Sequence, residues 1–166
     1  MNPRYFDQTM GAIGSSFQKR VNYLLGLHPD LSPIEQGFIY GMVGLGLFDP
    51  SVRFKDFPVV PSATLFDITI HIQFPIKQFR ADFAIELHAT ENGRKLHKWF
   101  VVECDGYQFH HLTREQVTRD KAREREIVAA GYSVLRFSGT EIYRDCTSAA
   151  QQVWTICYNE YRAWAE

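Results

Sequence analysis

The side chains best suited to chemistry are carboxylates at the end of an apolar run. Residues 99–105 read Trp99-Phe100-Val101-Val102-Glu103-Cys104-Asp105, and residues 79–87 read Phe79-Arg80-Ala81-Asp82-Phe83-Ala84-Ile85-Glu86-Leu87. Strand side chains alternate faces, so Glu103 and Asp105 share a face about 7 Å apart along the backbone. Asn92-Gly93 between the runs is the dipeptide that tight hairpins favour, because both central residues need positive φ. An antiparallel pairing through that turn brings Asp82 near Glu103. Burying ionised carboxylates is costly unless a cation or donors compensate them. One reading is a structural buried pair, but the sequence shows no fixed basic partner for Asp82 and Glu103. The other is a bound metal held by Asp82, Glu103 and Asp105; such hard oxygen donors suit Mg²⁺.

The elements that must position these acids follow from periodicity. Residues 2–27 place Tyr5, Phe6, Met10, Ile13, Phe17, Val21, Leu24 and Leu25 at helical spacing, which predicts an N-terminal helix. Ser32-Pro33-Ile34-Glu35 predicts a second helix, to about Leu47, with Ser as N-cap, Pro in the first turn and Glu in the capping-box position. Residues 50–62 carry three prolines and predict an irregular connection. Strict alternation from Leu65 to Phe74 predicts a half-buried strand, with Phe66, Ile68, Ile70, Ile72 and Phe74 on one face. The next strand places Phe79, Ala81, Phe83, Ile85 and Leu87 together, and the third ends in the acids. A helix from Thr113 to Ala130 stops at Gly131, Tyr132–Phe137 form a fourth strand, and a last helix runs from Thr140 to Trp164, bent near Cys146. The order predicts a mixed four-stranded sheet flanked by helices.

With 166 residues, 45% of them hydrophobic and 14% aromatic, the chain fits a single domain, residues 1–166, and argues against disorder. Within it, 1–31 read as a helical extension, 32–142 as the core and 143–166 as the C-terminal helix. The net charge of −1 excludes a broadly basic surface, so any nucleic-acid contact must use a local patch. Three widely spaced cysteines fit a reducing, cytoplasmic setting better than a disulfide frame. Their spacing matches no usual zinc pattern, and Cys104 reads as a small core residue. No signal peptide or membrane span is expected.

Four stretches together carry a family likeness: Arg80-Ala81-Asp82-Phe83, Val102-Glu103-Cys104-Asp105-Gly106-Tyr107-Gln108-Phe109-His110-His111, Arg119-Asp120-Lys121-Ala122-Arg123, and residues 130–137. They resemble the Vsr-like branch of the PD-(D/E)XK nucleases, which includes the very short patch repair endonucleases and a large group of uncharacterised bacterial proteins. The resemblance implies a restriction-endonuclease-like α/β core, Mg²⁺ as cofactor (Mn²⁺ substituting), DNA as partner, and phosphodiester hydrolysis. Asp82 matches the central metal-binding aspartate, and Glu103 the second acid. Asp105 stands where the superfamily has its lysine. His110 and Asp120 match the histidine and downstream acid of the branch, and Glu35 matches a first-helix glutamate of related homing nucleases.

The chemistry is consistent with the likeness. Phosphodiester hydrolysis needs a charge sink, which clustered carboxylates provide by holding Mg²⁺, and an imidazole such as His110 titrates near neutrality and can move a proton. His111, pointing the other way in an extended segment, is not expected to take part. Arg114, Arg119, Lys121 and Arg123 offer charge to phosphates; an equally ordinary reading is a solvated helix face laced with i,i+4 ion pairs. Capping alone accounts for Glu35. Two functions therefore compete, a metal-dependent endonuclease acting on DNA in repair or defence, and a non-catalytic module that keeps the fold and binds nucleic acid or protein. The sequence leaves the oligomeric state open, a homodimer among the options.

Overall fold

The computed structural model describes residues 3–56, 65–106 and 113–166. Helices α1 (Pro3–Leu27) and α2 (Pro33–Phe48) precede strands β1 (Val52–Phe54), β2 (Phe66–Ile76), β3 (Phe79–Glu91) and β4 (Arg94–Asp105). Helix α3 (Arg114–Ala129), strand β5 (Ser133–Ser138) and helices α4 (Gly139–Arg144) and α5 (Cys146–Ala165) complete the order. The sheet runs β1-β2-β3-β4-β5, parallel at both outer pairs and antiparallel between.

Local sequence accounts for most boundaries. Ser32 Oγ accepts from the Glu35 amide and Glu35 Oε2 from the Ser32 amide, closing the capping box that starts α2. Thr113 and Gln116 make the same exchange at α3, and Gly131, with φ +94°, follows its C-cap. Asn92 and Gly93 take φ of 51° and 77°, as the hairpin between β3 and β4 requires.

One face of the sheet carries the main core. Val21 and Leu24 of α1, Phe38, Ile39 and Met42 of α2, and Val153 and Cys157 of α5 pack there against Ile68, Ile70, Phe83, Ile85, Phe100 and Val102. Burial pushes the Cys157 thiol up to about 12, so it behaves as a small apolar group. On the opposite face, Ile127 of α3 packs on Val101, with Tyr132 and Val134 alongside. Among the described residues no helix is long and apolar enough to cross a membrane.

Three features depart from the sequence expectations. The sheet has five strands rather than four, because Val52–Phe54, within the connection read as irregular, pairs in parallel with Ile68–Ile70; Val52 and Phe54 are buried. The last helix is two, divided at Asp145, which ends α4 and caps α5 by accepting from the Ser148 amide. The alternation also breaks in mid-strand. Ile72 lies in the main core, but Phe74 stacks on Trp99 and meets His71 on the other face, and Phe79 and Ala81 join that second cluster. The cause is Gln73, whose φ of 51° reverses the side that the following residue takes. The paired positions Ile72↔Phe83 and Phe74↔Ala81 flank it, so Gln73 stands opposite Asp82.

Helices α2 and α5 approach so closely that a Cβ on Gly41 would lie 2.2 Å from the Cys146 carbonyl oxygen. That atom is backbone and cannot swing aside. Gly41→Ala should therefore destabilise the protein by about 1–3 kcal/mol, despite alanine's better helix propensity. Urea denaturation followed by circular dichroism measures this; an unchanged midpoint would mean that the helices separate without cost.

Candidate active site

The β3–β4 ladder runs from Glu91↔Arg94 to Phe83↔Val102 and stops there, although β3 reaches back to Phe79 and β4 on to Asp105. Beyond that point the two strands part. Backbone groups released by such a parting must find other partners when buried. The Cys104 amide donates to Asp82 Oδ2 at 2.7 Å, and the Arg80 carbonyl accepts from Arg123 Nη2 at 3.1 Å. Asp82 and Arg123 thus complete the fold where the sheet opens.

Glu103, Asp105 and Glu35 gather around Asp82. Arg123 reaches over from α3 and grips Glu103 with both terminal nitrogens, at 2.7 Å and 3.2 Å. Arg136 of β5, in register with Glu103, grips Asp105 through Nε and Nη2 at 2.9 Å and 3.2 Å, and also reaches Glu124. Glu35 enters from the first turn of α2; its Oε2 is held by the Ser32 amide and its Oε1 accepts from Gln73 Nε2. Every carboxylate oxygen of these four acids has a partner among the described residues except Asp82 Oδ1.

Electrostatics follow from this packing. Burial is the main influence on Asp82 and raises its pKa; the Cys104 amide and Arg123 pull it down, Glu35 and Asp105 push it up, and the net shift is upward. Glu103 is likewise raised, first by burial and then by Asp82, despite Arg123. Burial and the neighbouring acids also raise the Cys104 thiol, which packs against the main core. Four acids against two guanidiniums leave the cluster with excess negative charge.

The sequence expectations left out Arg136 and Gln73 and gave Arg123 another role. Arg123, expected to meet phosphate, is the basic partner of Glu103 that the sequence did not reveal, and Arg136 plays that part for Asp105. Gln73 had no signal beyond being a polar residue next to Phe74-Pro75. The expected set of Asp82, Glu103 and Asp105 does not bring one ligand atom from each mutually within 4.8 Å, because the guanidiniums hold two of the three carboxylates. Asp120 lies one turn before Arg123, on the same side of α3, half-buried. Arg114, Arg119 and Lys121 are exposed. His110 and His111 lie outside the described residues.

The raised pKa values carry a stability consequence. A carboxyl whose pKa is higher folded than unfolded favours the fold below its unfolded pKa, and loses that contribution as pH rises through the folded one. At pH 7, with chelator present, Asp82→Asn should therefore melt higher than wild type, since asparagine keeps the acceptor for the Cys104 amide and sheds the charge. The gain should vanish as pH falls below the ordinary carboxylate range. Calorimetric melts across pH 3–7 provide the check; a lower Tm for the variant at neutral pH would contradict it.

The match with known proteins rests on the same region. The family REase_MTES_1575, a restriction-endonuclease-like family, matches residues 63–156, more than half of the chain. That span includes Asp82, Glu103, Asp105, Arg123 and Arg136, whereas Glu35 precedes it. No curated protein and no solved structure matches the chain significantly. The match supports the PD-(D/E)XK superfamily without reaching the Vsr-like branch, and a mixed sheet whose acids gather where two strands part is consistent with it: the chain belongs to the restriction-endonuclease-like family REase_MTES_1575.

Proposed function

We propose that the protein is a metal-dependent endonuclease that hydrolyses DNA phosphodiester bonds, of the Vsr-like type. The observation that carries this reading is Asp82 Oδ1, among the described residues the one unpartnered oxygen in a cluster of carboxylates that has excess negative charge and, Glu35 apart, lies within the family match. An all-oxygen donor set with that charge fits Mg²⁺, or Mn²⁺ in its place. Asp82 would hold the ion, with Glu103 and Asp105 joining as Arg123 and Arg136 release them. Bound there, the ion supplies a charge sink for the anionic transition state.

The remaining steps belong to the chain. Arg123, once it leaves Glu103, pairs with a phosphate oxygen in this reading, and Arg114, Arg119 and Lys121, exposed on α3, hold the backbone of the duplex. Glu35 closes the cluster from α2 and keeps Gln73 against it. His110 exchanges a proton with the attacking water or leaving group, and Asp120 orients it, both assigned from the resemblance.

A second reading, a non-catalytic DNA- or protein-binding module, draws on Asp105. It occupies the place of the superfamily lysine and is held by Arg136 through two hydrogen bonds.

Nicking of supercoiled plasmid separates the two. With Mg²⁺ or Mn²⁺ the wild-type chain should nick, and Asp82→Ala should lower the rate by roughly 10²-fold or more. Calorimetric titration with each metal runs in parallel. Absence of any metal affinity that depends on Asp82 would select the binding module instead.

A further inference from the structure

The hairpin that carries Asp82 and Glu103 bears a second group of ligand atoms nearer its turn. Glu86 and His88 are two apart on β3 and share a face, and His97 of β4 stands directly opposite His88. His88 Nε2 and His97 Nε2 lie 2.7 Å and 3.1 Å from Glu86 Oε1, and His71 Nε2 lies 3.1 Å from Oε2. One ligand atom from each of Glu86, His88 and His97 lies within 4.8 Å of the others.

We propose that Glu86, His88 and His97 form a binding site for a transition-metal ion of the Zn²⁺ class, with His71 as a positioning residue acting through Glu86 Oε2. Charge balance alone does not account for the arrangement. A single imidazolium neutralises Glu86, whereas the His88 and His97 rings stack with centroids 4.2 Å apart, where two cations would repel. Without an ion each contact needs Nε2–H donating to the carboxylate oxygen; with one bound, the hydrogen sits on Nδ1 and the two Nε2 lone pairs, already converging on one oxygen, turn to the ion. Burial works against the charge on Glu86, but its imidazole contacts outweigh this and hold its carboxyl below the usual range, ready as an anionic ligand.

The donors also set the metal. Two imidazole nitrogens and one carboxylate oxygen suit Zn²⁺, Co²⁺ or Ni²⁺ over Mg²⁺. Tetrahedral zinc at roughly 2.0–2.2 Å from each ligand atom sets the ligand atoms about 3.4 Å apart, so the two Nε2 atoms would draw back slightly from Glu86 Oε1, a movement within reach of side chains. The His88 and His97 side chains are 45% and 51% exposed, so water can complete the coordination. His71, packed against Phe74 and Trp99 at 5.2 Å and 5.1 Å, holds the far oxygen of Glu86, as ligating carboxylates commonly require.

The test is calorimetric titration of the full chain with Zn²⁺ alone, after chelation and dialysis, in the Asp82→Ala background so that the acid cluster does not contribute. One Zn²⁺ per chain is expected, with micromolar or tighter affinity. His88→Ala and His97→Ala should each weaken it by more than ~100-fold, and His71→Ala by roughly 10–100-fold. Co²⁺ should give the visible bands of a tetrahedral site, absent in His97→Ala. Zinc affinity unchanged in both His88→Ala and His97→Ala, or no binding tighter than ~1 mM, would overturn the proposal. Neither result bears on nicking, which the Asp82→Ala background has already set aside.

Discussion

The structure depends on how the sheet opens between β3 and β4. A ladder that continued past Phe83↔Val102 would pair the Cys104 amide with backbone and leave no room between the strands for a carboxylate. Because it stops there, the part-buried Cys104 amide and the Arg80 carbonyl take new partners, and Asp82 and Arg123 supply them. The side chains placed for chemistry are also those that complete the hydrogen bonding of the fold. Removing Asp82 takes the partner from the part-buried Cys104 amide, a cost separate from any loss of activity.

The charges extend this dual role. Buried ion pairs persist where geometry is good and the remaining lone pairs are satisfied, and Arg123 meets that condition with a two-pronged grip on buried Glu103, while Arg136 makes the same grip on the more exposed Asp105. Among the described residues neither guanidinium grips Asp82, which takes a backbone amide on one oxygen and has no partner on the other. Burial and two acidic neighbours raise its pKa; the cation we propose there would relieve that electrostatic cost. Arg123 is the partner of Glu103 here; in the nuclease we propose, it would leave that carboxylate and face phosphate.

How much of this the sequence discloses depends on the range of each interaction. The capping box of α2, the Asn92-Gly93 turn and the stop at Gly131 are local, written within four residues, and were legible. Strand β1 was not, since three residues among prolines give no period and gain their partner only from β2. The grips of Arg123 on Glu103 and of Arg136 on Asp105 span 20 and 31 residues, so no spacing rule could announce them. The face change at Gln73 was hidden because Phe74 and Ala81 continue the alternation in sequence, and only a positive φ, unusual for a residue with a side chain, breaks it in space. Its location fits the tendency of strained backbone to gather near functional groups: Gln73 faces Asp82 across the sheet and bonds Glu35.

One register governs both groups of polar residues. The pairing set at Asn92-Gly93 aligns His88 with His97 near the turn and, carried along the same ladder, delivers Asp82 opposite Glu103 where the strands part. Strand side chains have a period of two, so a slip of one residue would turn Glu86 and His88 into the main core and expose Phe83 and Ile85 to solvent. The apolar face forbids that slip: Phe83, Ile85 and Leu87 are fully buried against Phe38 and the rest of the core. The core thus sets more than stability. By fixing which face each residue of the hairpin takes, it determines that the imidazoles meet Glu86 and that Asp82 arrives beside Glu103, at opposite ends of a single pairing.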